Sequence, residues 1–369
     1  MIARGSLLRL GATLRTRAAL GLRPATTPVV GFVPLGVLLG PWGAGALTPR
    51  VLDQLDVVVS IALATLGVFV GIAIGTLRGK VQHLVIAAAT EGLVTFATVS
   101  LVVWGLIVGW QLPLTLGAGL TAAALGIAAA ASAATFVSES GVPEHQIASR
   151  VADLDDVLPI LVGAVVLTAT VQNGRDILYD FLLTILIGSA AGVSGWLLFE
   201  RAEGAERGVF VLGTLALLGG GAAYLGTSPL VAGLAAGYVW AKTPGHTDRI
   251  AASDLRKFEH PLVVLLLIIA GAGLEPSAIG VWLLAPYILL RTIGKLLGGW
   301  LASRVAPGLA PADLGAYLIP PGVLGIAFAL NLAQVVPVAA TPLVFAVVAG
   351  AVISELMAVI VTPVSAASA

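Results

Sequence analysis

Long apolar stretches, separated by short polar breaks, run from residue 27 to residue 363. They show neither the two-residue alternation of a half-exposed strand nor the one-sided stripe of a soluble helix, because Leu, Val and Ala fill every face. A helix needs about 20 apolar residues to cross the hydrocarbon core. Windows of that size predict twelve helices, over residues 27–47, 56–77, 82–109, 112–137, 147–170, 177–199, 208–225, 227–242, 258–274, 279–302, 312–332 and 338–363. The seventh and eighth nearly merge at Gly226. The missing polar face argues against an outer-membrane barrel.

Loop charges then orient the chain. Fifteen of the 19 Lys and Arg fall on the side that holds the N-terminus, and two, Arg50 and Arg175, on the other. The remaining two, Arg291 and Lys295, lie inside the tenth window. The positive-inside rule therefore predicts twelve crossings with both termini cytoplasmic. Residues 1–24 carry five Arg and no acid, which fits a basic helix lying on the inner leaflet or a mitochondrial transit peptide. The excess of Arg over Lys, with abundant Ala and Gly, fits a GC-rich bacterial genome and so a bacterial inner membrane.

Composition narrows the class. Of 369 residues, 58% are hydrophobic and 10% charged, against about a quarter charged in an ordinary soluble domain. A soluble enzyme is excluded. The balance of 19 basic against 19 acidic residues gives no pull toward nucleic acid, and the absence of cysteine removes disulfides and thiolate metal sites. His83, His145, His246 and His260 are scattered. No Walker motif is present, so ATP does not drive the protein, and the Gly strings inside windows read as close helix packing. No cofactor is implied.

Two helix openings resemble one another. Thr27-Pro28 begins the first window and Ser228-Pro229 the eighth, and Gly36 and Gly237 follow each Pro by eight residues. This predicts two five-helix repeats, at about 27–170 and about 227–363, joined by linker helices at about 177–225. An odd number of crossings separates their starts, so the repeats are inverted, as in many secondary transporters. The fourth member of each carries a breaking signal. One is the small and hydroxyl-rich run from Ala131 through Ser132 to Thr135, and the other is Pro320-Pro321-Gly322. The prolines remove two donors, and unpaired carbonyls at membrane depth need a protein-buried or watery cavity. The segments are expected to be discontinuous and to cross, a plain kink at Pro320-Pro321 being the simpler alternative.

Charges inside such windows are functional by default. Asp155 and Asp156 are adjacent within the fifth window, about 100° apart on a helix. Two neighbouring carboxylates resist joint ionisation, so the pair can exchange protons and, ionised, offers hard oxygen ligands to a small cation. Asp153 lies nearer the edge, as a cap or a solvated acid. Arg291 and Lys295 stand one turn apart. Lys295 needs a buried partner, for which Asp155 or Asp156 is the candidate; lysine can lose its proton when desolvated, whereas Arg291 is the fixed cation. Glu91 and Glu355 are further deep acids, read as protonated carboxyls in helix contacts or as partners of Arg291. A cycle in which two protons replace one sodium, one ending on Lys295 or Asp155, would move one net charge.

The segments Val29-Val30-Gly31-Phe32 to Gly40-Pro41, Ala152-Asp153-Leu154-Asp155-Asp156-Val157-Leu158 and Ile293-Gly294-Lys295-Leu296-Leu297-Gly298-Gly299 resemble, in order and spacing, the glycine-rich opening, double-aspartate helix and lysine helix of monovalent cation/proton antiporters. The lysine helix is similar to that of the electrogenic sodium-transporting branch. The resemblance spans the chain after residue 26. It implies an antiporter domain over 27–369 behind the basic segment 1–26, an elevator-like alternating-access mechanism, a homodimer in the lipid bilayer, and exchange of sodium or lithium for protons. It further implies that Asp156 is the principal carrier, that Asp155 is its companion in binding transported sodium and pairs with Lys295, and that Thr135 lies at a helix break. Pro321 and Val323 stand where many relatives carry Arg and Glu, so gating detail and ion choice are not carried over. A potassium/proton antiporter or Kef-like potassium efflux protein, a sodium-coupled solute symporter and a non-transporting membrane sensor are the rival readings.

Overall fold

The computed structural model describes residues 28–76, 82–133, 143–171, 177–199, 201–202, 205–243, 247–307, 310–311 and 313–361. Among them the regular structure is helical throughout, with one isolated antiparallel bridge between two extended segments. The helices are α1 (Pro28–Leu39), α2 (Pro49–Gly75), α3 (Gln82–Gly109), α4 (Ala118–Ala130), α5 (Pro143–Asp155), α6 (Val157–Val171), α7 (Ile177–Phe199), α8 (Ala205–Tyr224), α9 (Pro229–Lys242), α10 (Thr247–Ala272), α11 (Ala278–Val305), α12 (Leu314–Tyr317), α13 (Val323–Val335) and α14 (Pro337–Val361). Six of them, α2, α3, α7, α8, α11 and α14, are long and apolar enough to cross a membrane, and α1, α4, α13 and the second half of α10 are shorter apolar helices. The basic N-terminal segment lies outside the described residues.

Local chemistry sets the boundaries. The first window runs to residue 47, but α1 stops at Leu39, and the chain turns through Pro41 and through Gly45 at φ +66°. Pro49 opens α2 behind Thr48, whose hydroxyl accepts the Val51 amide at 3.4 Å. The narrow division at Gly226 is a turn at φ +68°, and Ser228 and Pro229 then open α9. The fifth window is not one helix: α5 ends at Asp155 and α6 starts at Val157. Pro159 accounts for this, since it has no N–H for the Asp155 carbonyl and its ring crowds that oxygen.

Glycine lets the long helices approach closely. On α2, a Cβ at Gly67 or Gly71 would strike the carbonyl of Leu230 or Leu234; on α9, one at Gly233 or Gly237 would strike that of Ala64 or Val68. The two helices thus interlock through small residues one turn apart. Gly36 on α1 meets the Ile268 carbonyl of α10 in the same way. Leu215, Leu218 and Trp240 are fully buried around the α2, α8 and α9 group, and the Trp240 indole donates to the Gly192 carbonyl of α7 at 2.7 Å.

Candidate functional site

Two interrupted helices meet at one point. On one side, α4 ends at Ala130 and Ala131 turns extended, at φ −67° and ψ 134°. On the other, α12 ends at Tyr317 and α13 begins only at Val323. Pro320 and Pro321 explain the second gap, because each lacks a donor and disfavours helix in the residue before it. Nothing local explains the first, since alanine is the strongest helix former; the partner segment holds it open. Ser132 pairs with Pro321 as an antiparallel bridge, the Ala133 amide donates to the Pro320 carbonyl at 3.1 Å, and the Gly322 amide donates to the Ala131 carbonyl at 3.4 Å. A Cβ at Gly322 would lie 2.9 Å from the Ser132 carbonyl, so the crossing requires glycine there.

The carbonyls freed by these breaks are met by cations from α11. Arg291 donates to the carbonyls of Ile319 at 2.7 Å, Ala131 at 2.8 Å and Pro320 at 3.4 Å. One turn on, Lys295 donates to the Ala130 carbonyl. Both side chains are essentially inaccessible, at 1% and 0%. Arg291 thus joins carbonyls of both interrupted segments.

Lys295 also joins two carboxylates. Its Nζ is 3.2 Å from Asp155 Oδ2 and 3.1 Å from Glu91, whose other contact is the Thr95 hydroxyl at 2.9 Å. Glu91, on α3, and Asp155 are both fully buried. Gly298 makes room for α3, because a Cβ there would come within 2.8 Å of the Glu91 carbonyl. Ser132 Oγ donates to Asp155 Oδ2, and Asp155 Oδ1 accepts no hydrogen bond among the described residues. Asp156 occupies the interruption between α5 and α6, half-buried, and its carbonyl accepts the Ile160 amide at 3.2 Å.

The sequence candidates therefore separate. Asp155, Asp156, Lys295, Ser132, Arg291, Pro320, Pro321, Gly322 and Glu91 come together at the crossing. Thr135 lies outside the described residues, as does the side chain of Asp153. Glu355, on α14, belongs elsewhere: it accepts the Val30 amide at 2.6 Å in the first turn of α1. Neither it nor Glu91 pairs with Arg291, whose two terminal nitrogens donate to carbonyls. The role of Glu91 as a second partner of Lys295 was not foreseen, although its position one turn before Thr95 on an apolar helix marked it as a residue with a local polar contact. The third interruption, at Asp156, was signalled by Pro159.

No family model matches the sequence, and none of the curated proteins does. Among solved structures, the chain is similar to the sodium proton antiporter MjNhaP1 from Methanocaldococcus jannaschii at pH 8, with a TM-score of 0.64 at 15% identity, over 97% of this chain and 100% of that one. At that identity the likeness establishes the fold. The chain shares the helical fold of that protein over nearly its whole length.

Proposed function

We propose that the protein exchanges sodium, or lithium, for protons across a membrane, with Asp155 and Asp156 as the alternating binding site. The observation that carries this reading is Asp155 held jointly by Ser132 and Lys295 where two interrupted helices cross, with Asp156 beside it at a third interruption. Ionised carboxylates, a hydroxyl and free carbonyls are hard oxygen ligands suited to a small cation. A proton on the same carboxylate removes a ligand, so the two ions compete. The neighbour's sodium/proton exchange, the twelve apolar windows and the lopsided loop charge support the same reading, with both termini cytoplasmic and alternating access by movement of the crossing against α1, α2 and α7–α10, in a homodimer.

Glu91 bears on the stoichiometry. Asp155 and Glu91 balance Lys295 and Arg291, which leaves Asp156 to be neutralised by a proton or by sodium. When sodium displaces Lys295 from Asp155, Glu91 still compensates the ammonium. Both loaded forms are then neutral at one proton per sodium. The scheme of two protons per sodium, drawn from two carboxylates and one ammonium sharing a cavity, needs a second proton on Asp155 or Lys295. Sodium jumps on proteoliposomes adsorbed to a solid-supported membrane separate the two: the one-proton scheme gives transport without transient current, and a current that scales with transport favours two.

The function itself is tested by dequenching of a pH-sensitive dye in everted vesicles on addition of Na⁺, Li⁺ or K⁺. Dequenching by Na⁺ and Li⁺ is the expected result. A response to K⁺ alone makes the protein a potassium/proton antiporter, and a response to none removes the transport reading.

A further inference from the structure

A second polar enclosure lies away from the crossing, on the face predicted to be external. A cavity of about 30 Å³ opens where α6, α7, the turn between α8 and α9, and α13 meet. That is room for one or two water-sized particles. Its wall includes Asp180 and Thr184 of α7, Thr227 and Ser228 of the turn, and Asn331 of α13.

Two of these side chains have polar atoms with no partner among the described residues. Asn331 is 3% exposed, and its Oδ1 accepts no hydrogen bond. Ser228 occupies the N-cap position of α9, where a serine ordinarily turns its oxygen onto an amide of the first helical turn. Here it makes no such bond, and its buried Oγ is unpaired. The hydroxyls of Thr184 and Thr227 donate away from the cavity, to the carbonyls of Asp180 at 2.6 Å and Ala222 at 3.2 Å, which leaves their oxygens as acceptors. The wall thus presents oxygen lone pairs beside one carboxylate, and among the described residues no Lys, Arg or His lines it. A cation satisfies several lone pairs at once, whereas each hydrogen of a water satisfies one. A single carboxylate with neutral oxygens fits a monovalent ion better than a divalent one.

We propose that this cavity is a second monovalent-cation site, separate from Asp155 and Asp156, with Asp180, Asn331 and Ser228 as its principal ligands. It joins α13, one half of the interrupted crossing, to α7 and α9. An ion here ties those helices together in the arrangement seen. If the exchange reading above is right, high external sodium slows exchange without competing at the central site.

The test is direct and does not depend on transport. Sodium binding is measured by calorimetry on the purified full-length protein carrying both Asp155→Asn and Asp156→Asn, with choline as the control cation. The expected result is that one sodium site survives in this variant, that adding Asn331→Leu weakens it at least tenfold, and that adding Ser228→Ala weakens it several-fold. Ser228→Ala decides the matter alone if the Asn331 variant does not fold. Absence of sodium binding in the double variant overturns the proposal, as does binding that neither Asn331→Leu nor Ser228→Ala alters; the cavity then holds water alone. Wild-type protein that binds sodium here but fails to exchange it in vesicles would sink the transport reading and leave this site standing.

Discussion

The α2–α9 pair and the α4–α13 crossing are both close contacts between helices, built in opposite ways. In the first, each helix runs unbroken through the contact, which needs only the absence of side chains at Gly67, Gly71, Gly233 and Gly237. In the second, both helices stop, and the open carbonyls are closed by Arg291 and Lys295 and by a two-bond bridge. The glycine contact has nothing to titrate and one close-packed arrangement. The crossing contains acids and cations, which on the proposed reading exchange partners when a proton or a small cation arrives. A membrane protein that must hold one part still and rearrange another is served by this division.

Substitutions should therefore separate folding from exchange. The largest effect is expected at the glycine contact. Gly237→Leu drives a side chain into the Val68 carbonyl, and backbone cannot yield as a side chain would. It should destabilise by about 3 kcal/mol or more and abolish recovery of monodisperse protein in size-exclusion chromatography. Gly105 on α3 has open space around it, so Gly105→Ala should be neutral or stabilise by up to about 1 kcal/mol. Equal tolerance at the two positions would show that the glycines of α2 and α9 are not holding that contact.

The next effect concerns pH. Protonation of the Asp155–Asp156 pair removes the ligands that sodium needs, so the apparent KM for sodium should rise as pH falls. The limit is about tenfold per pH unit if one proton competes, and about a hundredfold if two do. Initial rates in everted vesicles across pH 6 to 9 measure the slope, and a flat KM would mean that proton and sodium sites are distinct.

The smallest expected effect comes from Glu91→Gln. Losing this carboxylate leaves Asp155 as the only acid on Lys295, strengthening the contact that sodium must displace. Exchange should persist, with the sodium KM raised several-fold and maximal rate little changed. A lowered KM would mean that Glu91 positions Asp155 rather than sharing its lysine.

Much of the crossing was legible beforehand, because a charge or a double proline stands out in an apolar window. Asp155, Asp156, Lys295 and Pro320-Pro321 needed no alignment to be noticed. The pairing of Lys295 with Glu91 was not legible: 204 residues separate the two, and only the rotation of α3 against α11 decides which acid faces which cation. The interruption at Asp156 was missed because a mostly apolar window over 147–170 reads as one helix even when Pro159 sits within it. The open end of α4 is legible as a polar step at Ser132, but its cause lies in the partner segment. Asn331 and Ser228 gave no warning, since an amide and a helix-opening serine are ordinary until the cavity between them is seen.

The central claim is that the acids at the crossing carry the ions. Dye dequenching by sodium in everted vesicles, comparing wild type with Asp156→Asn at matched amounts of folded protein, tests it most directly. Asn keeps the shape of the side chain and removes its charge and its proton, so the account predicts full dequenching in the wild type and none in the variant. An Asp156→Asn protein that exchanges sodium at the wild-type rate would contradict it.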